Sequence, residues 1–98
     1  MKVLTEEKII KVAEKIEEVE NEGLIALMGK TVTLFCSNYI YAGKLVGVNK
    51  NCVKLENAHL VFETGAFTDS KFKDAQKLGQ EFYVQMQAIE SFGVLKSL

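Results

Sequence analysis

Residues 27–58 read LMGKTVTLFCSNYIYAGKLVGVNKNCVKLENA. Three short alternating patterns follow one another in this stretch. Val32, Leu34 and Cys36 alternate with Thr31, Thr33 and Phe35, the period of two that marks a half-buried strand. Ser37-Asn38 supplies a turn. Residues 40–48 form a second strand pattern, and residues 52–58 a third that can run on through His59, Leu60, Val61 and Phe62. Asn49-Lys50-Asn51 is the polar loop between them. The second pattern carries Gly43 and Gly47. Glycine inside a strand marks a bend, a bulge or the close approach of another backbone. Two glycines in one strand predict a sheet that curls upon itself, as a small barrel must.

On the N-terminal side, Thr5 followed by Glu6, Glu7 and Lys8 has the form of a capped helix start with acids in its first turn. Ile9, Val12, Ala13, Ile16 and Val19 recur at helical spacing, which predicts an α-helix over about residues 5–22 lying as a lid on the sheet. Asn21-Glu22-Gly23 ends it, with Gly23 free to take a positive φ. Leu24, Ile25, Leu27 and Met28 then make an apolar connector or one further helical turn. On the C-terminal side the alternation is lost between residues 63 and 80. That segment reads as an insertion: a long hairpin tip, a short helix over about 71–78, or an excursion punctuated by Phe67 and Phe72. Alternation resumes with Phe82, Val84, Met86 and Ala88, a fourth strand over 82–88, and residues 89–95 form a fifth. The expectation is a single domain over residues 1–98, one helix and then five short antiparallel strands, the pattern of a small bent barrel.

Composition bounds the function. The 98 residues are 48% hydrophobic and 26% charged, an ordinary balance for a globular domain. A domain this small buries only about 60–65% of its unfolded surface, so self-association is one way to add stability. The formal net charge is -1, which excludes nucleic-acid binding through bulk basicity and requires any anion site to be local. Cys36 and Cys52 lie inside strand patterns without a CxxC spacing, and read as small buried hydrophobes in a reducing, cytoplasmic setting. Glu6 and Glu7 interrupt what a signal peptide would need. No apolar run reaches the roughly 18 residues of a membrane span.

Taken in order, these residues resemble the Sm-like family, the Lsm and Hfq-type proteins. Leu27-Met28-Gly29-Lys30 followed by Val32 and Leu34 is similar to the family's approach to its first strand. Gly43-Lys44-Leu45 matches its bend glycine and following leucine, and Val53, Leu55 and Asn57 match its third strand. Gln87-Ala88-Ile89-Glu90-Ser91 is similar to the hinge between the last two strands of the Hfq branch. The resemblance covers about residues 24–58 and again 84–94. It implies a mainly β fold with an N-terminal α-helix on a strongly bent, five-stranded antiparallel barrel, an SH3-like barrel. It further implies a homo-oligomeric ring in which the fourth strand of one subunit pairs with the fifth of the next. The implied ligand is single-stranded, often uridine-rich RNA held near the pore. Carried over by position, the RNA-binding residues are Asn49, Lys50, Asn51 and Gln87.

The match departs from the family at those positions. Where the loop normally begins with aspartate this chain has Asn49. Where the Hfq branch has a glutamine and a stacking aromatic it has Lys50 and Asn51, and where that branch has a lysine-histidine pair it has Met86 and Gln87. The eukaryotic and archaeal branches place a basic residue and a glycine at the hinge, and here Glu90 and Ser91 follow Ile89. Asn49-Lys50-Asn51 is also simply a good turn sequence. A structural or protein-interaction ring without RNA binding, using residues 63–80 or the helix face, is therefore the alternative.

Other chemistry has thinner support. His59 is the sole histidine and has no second imidazole or thiolate pair near it in sequence, so no metal site is expected. A Cys52–His59 catalytic pair would lack an orienting third group. No P-loop or GxGxxG occurs, no cofactor is expected, and the chain does not read as an enzyme. Tyr39 and Tyr41 flank the first hairpin, where they pack or stack bases.

Overall fold

In a computed structural model, residues 22–98 are described. The helix expected over residues 5–22 lies outside them except for its last residue, Glu22. The described chain is mainly β. A five-residue 3-10 turn, Gly23–Leu27, precedes five strands: β1 (Thr31–Cys36), β2 (Ile40–Val48), β3 (Cys52–Glu63), β4 (Asp74–Gln85) and β5 (Ile89–Gly93). They form one antiparallel sheet in the order β4-β3-β2-β1-β5. The sheet is not closed, because β4 and β5 are its two ends. Gly23 takes φ +66° at the start of the 3-10 turn and Gly29 takes φ +84° at its exit. Gly29 N–H then donates to the Leu45 carbonyl at 2.7 Å, and Leu45 N–H to the Lys30 carbonyl at 2.9 Å, which fastens the connector to β2.

Three of the expected boundaries move. The segment expected as an insertion over residues 63–80 divides: residue 63 and residues 74–80 belong to β3 and β4, and residues 64–73 form the connection between them. β3 and β4 pass the end of β2, where Ile40 pairs with Val61, by at most two residues each. Their outermost pair is Glu63 with Asp74, residues 64–73 make the tip of this hairpin arm, and the helix considered over 71–78 does not form. Alternation fails as a signal there because residues 64–73 are not strand, and because residues 62–63 and 76–78 are exposed on both faces, so nothing selects apolar residues on either. β4 ends at Gln85 and not at Ala88, since Met86–Ala88 is a 3-10 turn. β5 ends at Gly93. Residues 94–98 leave the sheet and reach the arm, where Ser97 forms a parallel bridge with Lys71.

One face of the curled sheet holds the core. Val32, Leu34, Leu45, Val53 and Leu55 are fully buried, with Leu24, Ala58 and Val84 beside them. Each fully buried aliphatic side chain of this size contributes about 1.5–3 kcal/mol. Tyr41 and Phe82 pack against this cluster with ring centroids 5.5 Å apart. Yet Tyr41 pairs across β3 at Leu60, and Phe82 at Leu55, five residues further along that strand. Only a sheared, curled sheet brings the two rings together. Thr33 and Ala42 are cross-strand partners on the reverse face and are also fully buried, so that face is covered at their level too.

The curl has a local cause. Between the pairs Ala42–His59 and Lys44–Glu56 the register shifts, placing two residues of β3, Asn57 and Ala58, opposite Gly43. This is a β-bulge, which bends the bulged strand and increases its twist. Asn57 has φ +51°, the left-handed region that Asn tolerates and β-branched residues do not. Asn57→Val is therefore expected to lower stability by about 1–3 kcal/mol, whereas Asn57→Gly stays within a few tenths. Parallel urea melts of the two variants check this, and equal midpoints would remove the strain argument.

A candidate nucleic-acid interface beside the polar loop

Asn49 closes its own loop. Its side-chain oxygen accepts from the N–H groups of Asn51 at 2.7 Å and Cys52 at 2.8 Å, an Asx turn. Its backbone N–H donates to the Cys52 carbonyl at 3.0 Å. The turn role noted for this tripeptide is thus realised at Asn49, whose acceptor is committed to the backbone. Lys50 and Asn51 are exposed at the tip.

The second half of the site comes from β4 and the turn after it. Met86 N–H donates to the Asn51 carbonyl at 2.8 Å. That bond ties the loop to the Met86–Ala88 turn and carries Gln87 to the side of Lys50. Lys50, Asn51 and Gln87, 37 residues apart in sequence at the extremes, line one open concavity of about 670 Å³ together with Cys52, Tyr83 and Gln85. This volume lies within the range of ligand sites, roughly 300–1,000 Å³. Asn49 lines a smaller neighbouring concavity with Gly47, Val48, Lys54 and Tyr83. Three of the four residues singled out from sequence therefore share a surface, and the fourth shapes it from behind.

Tyr83 and Gln85 were not singled out. The signal for them is the alternation in β4, where Phe82 and Val84 turn to the core and Tyr83 and Gln85 turn away from it. Tyr83 is 60% exposed. Lys54 stands over its ring, 5.7 Å from the centroid, and pairs with Glu81 at 3.4 Å. The Glu81 carboxylate, and after it Tyr83, raises Lys54 above the ordinary lysine value. Lys54 is thereby held as a cation beside the site.

Glu90 does not line the Lys50–Gln87 concavity. It lies toward Cys36, whose thiol is raised above its ordinary pKa first by burial and then by the Glu90 charge. A thiol held neutral in this way is a poor nucleophile. Tyr41 is likewise raised, chiefly by burial, and belongs to the core. Tyr39 remains 56% exposed at the first hairpin. His59 bonds through Nδ1 to the Asn57 carbonyl at 2.8 Å, and because a carbonyl only accepts, Nδ1 carries the proton. Cys52 and His59 lie seven residues apart on β3, on the order of 20 Å at about 3.3 Å per residue, and are not brought together. Among the described residues no group of three or more His, Cys, Asp or Glu side chains could hold a metal ion. No helix among them is long and apolar enough to cross a membrane.

No protein-family model matches the chain, and no curated protein is similar to it.

Proposed function

We propose that this chain is an Sm-like ring subunit that holds short single-stranded RNA against the 49–51 loop and the 86–88 turn. The observation that carries the reading is the hydrogen bond from Met86 N–H to the Asn51 carbonyl. It makes one surface from a cation, Lys50, and the amides of Asn51 and Gln87. Amides present donors and acceptors to a base edge, and a lysine meets phosphate.

The ring part of the reading is supported by the strand order. The ends of the sheet, β4 and β5, each leave a row of backbone N–H and C=O groups facing outward. β4 is 12 residues long and mostly exposed, an edge of a length that invites another strand. The occupant we assign is the β5 edge of a second copy. Such head-to-tail pairing closes as a ring when the rotation permits. The free thiols of Cys36 and Cys52 suit a reducing cytoplasm. Repetition of Lys50 around a ring would build local positive potential despite the net charge of -1.

Fluorescence polarisation with labelled U-rich and A-rich oligoribonucleotides tests the ligand. Binding is expected to weaken with added salt, and Lys50→Ala to weaken it about 3- to 10-fold per contacted phosphate at low salt. No binding at tens of micromolar protein in low salt would sink the RNA reading. Light scattering tests the ring, which a monomer at high concentration would contradict. The alternative, a protein-interaction ring without RNA, draws on the arm, where Phe62 and Phe67 are 56% and 62% exposed. It becomes the favoured reading if the oligomer forms and RNA does not bind.

A further inference from the structure

The ring of Tyr83 is a wall shared by two concavities. The smaller it shares with Gly47, Val48, Asn49, Cys52 and Lys54, whose ammonium lies over the ring. It also lines the larger concavity with Lys50, Asn51, Gln85 and Gln87, which Lys54 does not line. Tyr83 thus has a cation over its ring and also borders an open concavity that the cation does not line. It is the one aromatic in a concavity otherwise lined by amides, a lysine and a thiol.

We propose that Tyr83 is the platform on which an unpaired nucleobase stacks, its edge read by the amides of Asn51, Gln85 and Gln87 and its phosphate met by Lys50. This rests on the RNA reading above and supplies the stacking surface that the 49–51 loop lacks. Stacking needs a free base face, so the site takes single strands and excludes duplex. Amides can donate or accept, so discrimination among the four bases is modest. The Lys54 cation, drawn to the ring at 5.7 Å from its centroid, holds that ring in place.

The chain has no tryptophan, so Tyr83→Trp places a single, selectively excitable tryptophan at the platform. Its emission is expected to be quenched saturably by single-stranded oligonucleotide, with the midpoint that polarisation gives, and not by the matching duplex. Tyr83→Leu is expected to weaken single-strand binding about five- to a hundred-fold, and Tyr83→Phe to keep it near the wild-type value. The exposure of Tyr83 leaves folding intact, which thermal melts of each variant verify. Wild-type affinity in a folded Tyr83→Leu, with no quenching of Tyr83→Trp, would overturn the platform while leaving RNA binding in place. Absence of binding by every variant and by the wild type would overturn both.

Discussion

Gly43→Val is expected to lower the stability of the domain by about 3–5 kcal/mol, and Gly43→Ala by about 1–3. A Cβ at residue 43 would lie 3.0 Å from the Glu56 carbonyl oxygen, 3.1 Å from the Leu55 Cβ and 3.3 Å from the Ala58 Cα. Two of these three atoms are backbone and the third is attached to it, so no side chain can rotate away to make room. Relief requires β2 and β3 to separate at the bulge, and the bulge is where the sheet curls. A domain of this size has roughly 5–15 kcal/mol in hand, so the valine variant stands near the threshold of folding. Urea denaturation followed by circular dichroism measures the loss. An alanine variant within 0.5 kcal/mol of wild type would show that the strands yield more easily than close packing implies.

Lys96→Met is expected to release the tip of the arm and the C-terminal segment together. Lys96 is only 4% exposed. Its ammonium donates to the carbonyls of Thr64 at 2.7 Å, Ala66 at 2.6 Å and Lys71 at 3.2 Å. The rings of Phe67 and Phe72 lie 5.7 and 5.5 Å from it. Three donors meet three acceptors, and the two aromatics shield the cluster from water. Hydrogen bonds to a charged group are worth about 1.5–3 kcal/mol each, but they share one ammonium, so a total of about 2–4 kcal/mol is expected. The cost falls locally, because the tip lies beyond the main core. Hydrogen exchange is the measurement that separates local from global loss. The amides of Asp69 and Ser97, bonded to the Ala66 and Ser70 carbonyls, should lose protection, while those of Val53 and Leu55 keep it. Lys96→Arg should fail to restore them, since a planar guanidinium cannot point three donors at converging carbonyls. Unchanged protection in Lys96→Met would refute the clip.

Legibility in the sequence follows burial. β1, β2 and the first half of β3 could be read because one face of each is dry, and alternation records which face. The arm could not, because water on both sides of residues 62–63 and 76–78 leaves no periodic constraint on residue type. Gly43 was readable as a close approach, but not the partner it approaches, since Asn57 and Ala58 oppose it only through a bulge that no local pattern announces. Lys96 gave no signal at all. A lysine near the end of a chain reads as solvated, and three backbone carbonyls contributed by residues 64–71 carry no residue code.

The candidate site divides along the same line. Lys50, Asn51 and Gln87 could be picked out by their chemistry and their place in an ordered series of motifs. Their union depends on Met86 N–H finding the Asn51 carbonyl, a backbone contact between segments that any pair of non-proline residues could make. Tyr83 joins them because β4 turns Phe82 and Val84 inward, leaving its ring outside. By itself the sequence determined the order of strands, the dry face of the sheet and the glycine at its bend, since these rest on side-chain size and polarity at local spacing. Only the tertiary structure decided the length of the arm, the Lys96 clip and the surface around Tyr83, since these rest on backbone groups meeting across long separations, where residue identity says least.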